Sequence, residues 1–263
     1  MEPKSGKVKR VNPRWTHDRE VAKNYVGIVG VDEAGRGCLA GPVVAGCVIL
    51  SAGFFSNGKN RKLTCRINDS KQFNESTREE LYQVIQYLID EKKVFGATGL
   101  ASVDEIEEYN IVGATCLAMR RAMESASLMS NSTWVPCPHD DQDLFGKATG
   151  SVEKWKVLVD GRRMKGLNFR HEGLIKGDSI SLAVAMASLL AKVTRDCMMK
   201  RLCKEFPGYD FSSNKGYGSP FHIKALQEYG PTNHHRPKFL RNLINQAGQA
   251  KGNNLEQTRL SLV

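Results

Sequence analysis

Gly27-Ile28-Val29-Gly30-Val31-Asp32-Glu33-Ala34-Gly35-Arg36-Gly37-Cys38-Leu39-Ala40-Gly41-Pro42-Val43-Val44-Ala45-Gly46-Cys47-Val48-Ile49-Leu50 is the most apolar and most glycine-punctuated part of the chain's first fifty residues. Two runs rich in β-branched residues, 27–32 and 43–50, flank a glycine-rich turn, the pattern of a strand hairpin. The first strand ends in two acids. A carboxylate that closes a buried strand must be solvated, paired or bound to metal, because isolated burial of its charge is too costly. The hairpin is therefore expected to present polar cargo at the end of its first strand.

Downstream the period changes. Leu81, Val84, Ile85, Leu88 and Ile89 fall at i, i+3, i+4, i+7 and i+8 behind the cap-type residues Asn74 and Ser76, with Glu79 in capping-box position, which predicts a helix from Asn74. A strand over 94–100 and a helix over 110–125 follow. Residues 131–150 mix Pro136, Pro138 and several aspartates with little periodicity and read as a surface loop or insertion. Lys156–Asp160 is a short buried strand ending in an acid, and 171–176 another. Residues 179–206 form a long helix whose Ala- and Ser-rich first half suits close packing on a sheet, stopped by Pro207-Gly208. The order of elements gives one α/β domain over 25–206, a helical C-terminal region over 207–246 and a flexible tail over 247–263. Residues 1–24 carry seven Lys or Arg with almost no apolar periodicity and read as a basic, flexible arm. Glu2, Asp18 and Glu20 argue against an organellar address there.

The composition of the 263-residue chain, 41% apolar and 25% charged, is that of a globular protein. Its longest apolar runs, 43–50 and 182–187, fall far short of the roughly 18 residues that cross a bilayer, so no membrane partner is expected. Thirty-eight Lys plus Arg against twenty-eight Asp plus Glu leave a net charge of +10, which favours a polyanionic partner. Seven cysteines, an odd number without a C-x-x-C pair, and the absence of a secretory apolar region suit reduced thiols in an intracellular compartment. Cytoplasm is favoured, with nucleus or mitochondrion open. Neither cysteines nor histidines have zinc-ligand spacing.

Four acids stand out: Asp32 and Glu33 at one strand end, Asp160 at another, and Asp178 ahead of the long helix. Singly each has a plain explanation: Asp178 as a helix cap, Glu33 as a surface acid, Asp160 as a turn former before Gly161. Together they imply a carboxylate cluster if the two strands are neighbours, and like charges that close repel unless divalent cations neutralise them. Oxygen-only ligation favours two Mg²⁺ or Mn²⁺ ions, and on a basic protein such a cluster is a candidate two-metal phosphodiesterase centre.

The string G-V-D-E-A-G-R-G, 30–37, resembles the signature of ribonuclease HII, the type 2 ribonuclease H family. L-A-G-P (39–42), D-S-K-Q (69–72), V-D-G (159–161), K-G-D-S (176–179), A-K-V-T-R-D (191–196) and K-G-Y-G (215–218) follow in the family's order. The resemblance implies a ribonuclease H-like mixed β-sheet flanked by helices, with a small helical C-terminal region. It implies hydrolysis of the phosphodiester 5′ of ribonucleotides in RNA–DNA hybrids or embedded in duplex DNA, leaving 3′-hydroxyl and 5′-phosphate ends. Asp32, Glu33, Asp160 and Asp178 would be the catalytic, metal-binding acids. Gly35, Arg36 and Gly37 would read the ribose 2′-hydroxyl, the group that marks RNA. Tyr217 would stack on the junction sugar, and Lys71, Lys192 and Arg195 would contact phosphates. Asp196, a fifth acid at mid-helix, is expected to pair with a neighbouring cation.

Departures are Cys38 where the family usually has proline, Phe73 for leucine, Ser219 for threonine, and the altered end motif His234-His235-Arg236-Pro237. The intact G-R-G argues against the relative ribonuclease HIII. Between 192 and 241 ten Lys or Arg face four acids, so this region is expected to hold the duplex by its phosphates. The motif spelling points to a monomer. Gln257, Leu260 and Leu262 faintly resemble a sliding-clamp peptide lacking its aromatics. Two other readings stay open: a non-catalytic binding subunit that kept the fold, and a nuclease of this fold acting on DNA junctions.

Overall fold

The computed structural model describes residues 11–136 and 155–241; most of the 131–150 segment, the 247–263 tail and the clamp-like residues lie outside them. The helices are α1 (Pro13–Val21), α2 (Gly58–Leu63), α3 (Glu75–Asp90), α4 (Val103–Met129), α5 (Gly177–Ile180), α6 (Leu182–Glu205), α7 (Phe211–Asn214) and α8 (Pro220–Tyr229). The strands are β1 (Gly27–Ala34), β2 (Val43–Ser51), β3 (Phe95–Ala101), β4 (Trp155–Asp160) and β5 (Glu172–Leu174), in sheet order β3-β2-β1-β4-β5. The predicted hairpin forms: β1 and β2 are antiparallel with Asp32 opposite Gly46, and β3 continues the antiparallel half. β4 and β5 join parallel, and Val31 opposite Val159 brings Asp32 and Asp160 to the same end of neighbouring strands.

Side chains alternate across a strand, so a sheet covered on both faces needs apolar residues at nearly every position. Ile28, Val48, Leu50 and Leu158 pack toward α3 and α6. Val29, Val31, Ala45, Cys47 and Val159 pack toward α4. α6 lies directly on the sheet: a Cβ on Gly30 would sit 2.2 Å from the Ala183 carbonyl carbon, and one on Gly46 2.2 Å from the Ala187 oxygen. The Ala- and Ser-rich half of the helix is what permits this approach. A third apolar cluster, around Tyr209 and Phe211, joins α7 and α8 to Ala40 and Met199.

Two element boundaries move. The helix expected from Asn110 begins at Val103 instead, behind a capping box in which Ser102 and Glu105 exchange bonds. Asn110 (φ 57°) is a kink whose Oδ1 accepts from Val112 and Gly113 N–H, so the cap-like sequence marks a restart inside a longer helix. The predicted 179–206 helix splits into the turn α5 and α6, with Ser181 capping the second by accepting from Val184 N–H.

The reading of 1–24 as a flexible arm is corrected for its described part. α1 starts behind Asn12 and buries Trp15 against Phe54 and Phe55, with ring centroids 5.4 and 5.1 Å apart. Asp18, fully buried, accepts from Ser181 Oγ (3.0 Å) and Ala183 N–H (2.9 Å) and so caps α6 from outside it. A helix with one aromatic anchor and a buried cap leaves no periodic trace, because its partners come from elsewhere in the chain. Trp15→Ala should lower the unfolding free energy by about 3–5 kcal/mol in urea denaturation. A loss below about 0.5 kcal/mol would restore the arm reading.

Candidate active site

The four predicted acids converge on the carboxyl end of β1 and β4. Asp32 is 4% exposed and accepts from Glu33 N–H (2.7 Å), and Ser188 of α6 hydrogen-bonds to the same carboxylate. Glu33 pairs with Arg36 at 3.1 Å. Asp160 accepts from Gly177 N–H (2.6 Å), which locks the end of β4 to the start of α5. α5 carries Asp178, also 4% exposed, whose backbone oxygen accepts from Arg14 Nε at 2.7 Å. The first helix thus holds the last acid in place. Lys71 Nζ stands 3.6 Å from Asp178 Oδ2. Asp69, two residues before Lys71 in the same D-S-K-Q string, sets a further negative charge beside Asp178; sequence reasoning singled out only the lysine.

Burial raises the Asp32 carboxyl well above the ordinary range, and the charges of Glu33 and then Asp160 raise it further. Burial likewise raises Glu33, against the pull of Arg36. Burial, then Asp69, raises Asp178, and Lys71 only partly offsets this. Lys71, although partial burial works against its charge, is held above its usual value by Asp178 and Asp32. Among the described residues no three His, Cys, Asp or Glu side chains close tightly enough on one point to bind an ion as they stand. The donor set nonetheless fits a hard cation: it is all oxygen, mutually repulsive, and Asp178 Oδ2 is buried with no hydrogen-bond partner among the described residues.

Beside the acids runs the 35–42 loop. Gly35 (φ +95°) adopts a backbone that L side chains resist, and a Cβ there would fall 2.0 Å from Arg195 Nε. Arg36 and Gly37 are exposed above it. Tyr217, 47% exposed, lies over Gly37. The structure therefore brings Gly35, Arg36, Gly37 and Tyr217 together next to the carboxylates.

Arg195 is a correction. Expected to touch phosphate, it is 1% exposed, and its guanidinium donates to the carbonyls of Pro42 (2.9 Å), Lys215 (2.8 Å) and Ala40 (3.0 Å). Arg236 does the same from the other side, donating to Gly35 (2.8 Å), Arg36 (3.0 Å) and Gly41 (2.7 Å) oxygens. Burial pulls its pKa down to about 10, so it stays charged at neutral pH. The two arginines are the floor of the loop. Lys192 is committed to Asp196 (2.9 Å), which bears out the pairing expected for that acid, with Arg78 at 3.8 Å. Lys200 and Lys215 pair with Glu75, and Lys238 and Arg241 with Glu107. Seven of the ten cations counted between 192 and 241 are thus occupied within the fold, and the charge count alone overstates what that region offers to a duplex.

The tyrosine is steadied by a histidine relay that sequence reasoning missed. Thr232 N–H donates to His235 Nδ1 (2.9 Å), which leaves the His235 proton on Nε2, 3.0 Å from His222 Nε2. His222 Nδ1–H then donates to the Tyr217 oxygen (2.8 Å). Both rings must be neutral for this order of donors. Burial, then His222, lowers His235 from 6.5 to about 4. A base depressed on folding contributes stability that is full above its unfolded value and is lost as pH falls. The window here runs from 6.5 down to about 4. Across it, wild type should lose up to about 1.4 kcal/mol per pH unit more than His235→Gln in urea denaturation. Equal slopes would place the titration elsewhere.

A family model described as Ribonuclease HII matches residues 29–243. The chain belongs to the ribonuclease HII family. Ribonuclease HII of Fusobacterium nucleatum is 38% identical over 235 residues, covering 89% of this chain and 93% of its own length. That of Ehrlichia chaffeensis is 37% identical over 231 residues, covering 86% and 94%. Among solved structures, ribonuclease H2 from Pyrococcus horikoshii aligns with a TM-score of 0.57 at 23% identity over 84% of this chain and 98% of its own. The ribonuclease HII in a PCNA complex from Archaeoglobus fulgidus aligns at 0.51 and 23%, over 80% and 94%. These two likenesses bear out the ribonuclease H-like fold. Family membership makes the protein a ribonuclease H, an endonucleolytic hydrolase of a family that acts on RNA–DNA hybrids.

Proposed function

We propose that this ribonuclease H cuts the phosphodiester on the 5′ side of ribonucleotides, in RNA–DNA hybrids and at ribonucleotides embedded in duplex DNA, with Asp32, Glu33, Asp160 and Asp178 holding two Mg²⁺ or Mn²⁺ ions. The observation that carries the reading is the buried Asp178 Oδ2, without a hydrogen bond among the described residues and facing only the Lys71 cation at 3.6 Å, beside acids whose charges oppose one another. Bound there, such ions supply an acidified attacking water and neutralise the charge that develops on the phosphate. Asp32, fixed by Ser188 and its neighbour's N–H, would be one of the residues holding such ions. Asp160 is hydrogen-bonded to the short turn that carries Asp178. Lys71, 74% exposed at its side chain and leaning over Asp178, is placed to meet a phosphate oxygen. Lys192, held by Asp196, is not oriented toward that role.

Gly35, Arg36 and Gly37 offer main-chain groups at close range to a sugar, and Tyr217 offers a ring face beside them, which supports reading of the 2′-hydroxyl. Because water attacks rather than that hydroxyl, the products carry 3′-hydroxyl and 5′-phosphate ends.

Asp32→Asn and Asp178→Asn should each cut a single-ribonucleotide duplex at least about a hundredfold more slowly, more than the loss of a group that merely supports a ligand. Mg²⁺ or Mn²⁺ should raise the thermal midpoint of the wild type and not of either variant, a readout independent of turnover. Wild-type cleavage by purified Asp32→Asn would end the assignment. Arg36→Ala and Tyr217→Ala should lower the preference for a lone ribonucleotide over a longer hybrid by about tenfold; unchanged selectivity in a competition assay would remove them from the recognition set.

A further inference from the structure

We propose that the connection between β4 and β5, residues 161–171, together with Arg120 of α4, forms a second phosphate-holding surface for the duplex, on the β5 side of the carboxylates. The proposal rests on the duplex-substrate reading above. Since most cations of the C-terminal region already have internal partners, a surface that adds unpaired positive charge near the acids would strengthen the hold on a polyanion. The 161–171 segment follows Asp160 directly and carries Arg162, Arg163, Lys165 and Arg170 without a single acid. Arg162, Arg163 and Lys165 are exposed, as is Arg120. Among the described residues Arg120, Arg162, Lys165 and Arg170 have no ion-pair partner.

The segment is also fixed in shape. Met164 and Leu167 are buried in the apolar layer under α4, and Gly161 N–H donates to the Leu174 oxygen at 3.0 Å. His171 bolts the loop from within: its Nε2 accepts from Met164 N–H (3.2 Å) while its Nδ1 donates to the Phe169 oxygen (2.6 Å). Cations on a preordered loop bind phosphates without first losing the entropy of a mobile one.

Between this loop and α4 opens a cleft of about 490 Å³, bounded by Gly166 and Asn168 on one side and Tyr109 and Arg120 on the other. The basic segment begins at the residue after Asp160, so it leads away from the carboxylates themselves. A basic surface that starts beside the place where a phosphodiester is cut fits the flanking phosphates of the same nucleic acid better than an acidic protein.

The test is Arg162→Ala/Lys165→Ala/Arg170→Ala in the full chain. Arg61→Ala/Lys62→Ala on α2, against the opposite face of the sheet, is the control for net charge. Binding of an all-DNA duplex by fluorescence anisotropy, and steady-state cleavage of the same duplex carrying one ribonucleotide, are followed across KCl concentrations. The triple variant should bind about tenfold more weakly near roughly 0.1 M salt, with a plot of log affinity against log salt flatter by about three. Its KM should rise more than its kcat falls, at an unchanged thermal midpoint, and the α2 control should keep the wild-type slope. A triple variant with wild-type slope and KM overturns this surface while the wild type still cuts. A wild-type protein that neither binds nor cuts the duplex overturns both the surface and the reading beneath it.

Discussion

Backbone against backbone is the contact on which the rest depends. Where α6 crosses β1 and β2, glycines in the strands and alanines in the helix leave no side chain between them. The start of α6 therefore lies over the middle of β1, with Ala183 on Gly30 and Ala187 on Gly46, the residue opposite Asp32. Ser181 begins α6, α5 lies just before it, and the bond from Gly177 N–H to Asp160 brings Asp178 beside the strand acids. A larger residue at position 30 would lift the helix and with it the one acid that does not sit on a strand. The catalytic geometry is in this sense a by-product of close packing.

Much of this was legible in the sequence because it is written locally. The hairpin of β1 and β2, the amphipathic helix from Asn74 and the acid-terminated strand at 155–160 each announce themselves by period and punctuation, and the acids were found because a carboxylate does not belong at the end of an apolar run. What escaped is non-local. Nothing near Trp15 or Asp18 says that their partners are Phe54, Phe55 and the start of α6. Arg195 and Arg236 look like surface charge in any count of residues, yet each is satisfied by carbonyl oxygens of a loop far away in the chain. The histidine relay depends on which ring nitrogen faces which, and no spacing encodes that.

Charge is used in two opposite ways within a few ångströms. The acids are buried close to one another, with like charges only partly compensated, which makes the site costly to the empty fold and receptive to cations. The arginines below the 35–42 loop are buried with all three nitrogens of each hydrogen-bonded, so they cost little and impose shape. One set creates an appetite for a ligand; the other makes a rigid template beside it. The sequence pattern Gly35-Arg36-Gly37 would be too pliable to discriminate without that support.

The bond from Arg14 to the Asp178 oxygen spans 164 positions in the chain. During synthesis the first helix can meet Phe54 and Phe55 early, but its bond to Asp178 must wait until all five strands have been made. The nuclease centre is thereby closed late, by a bond between a helix made before the sheet and an acid made after it.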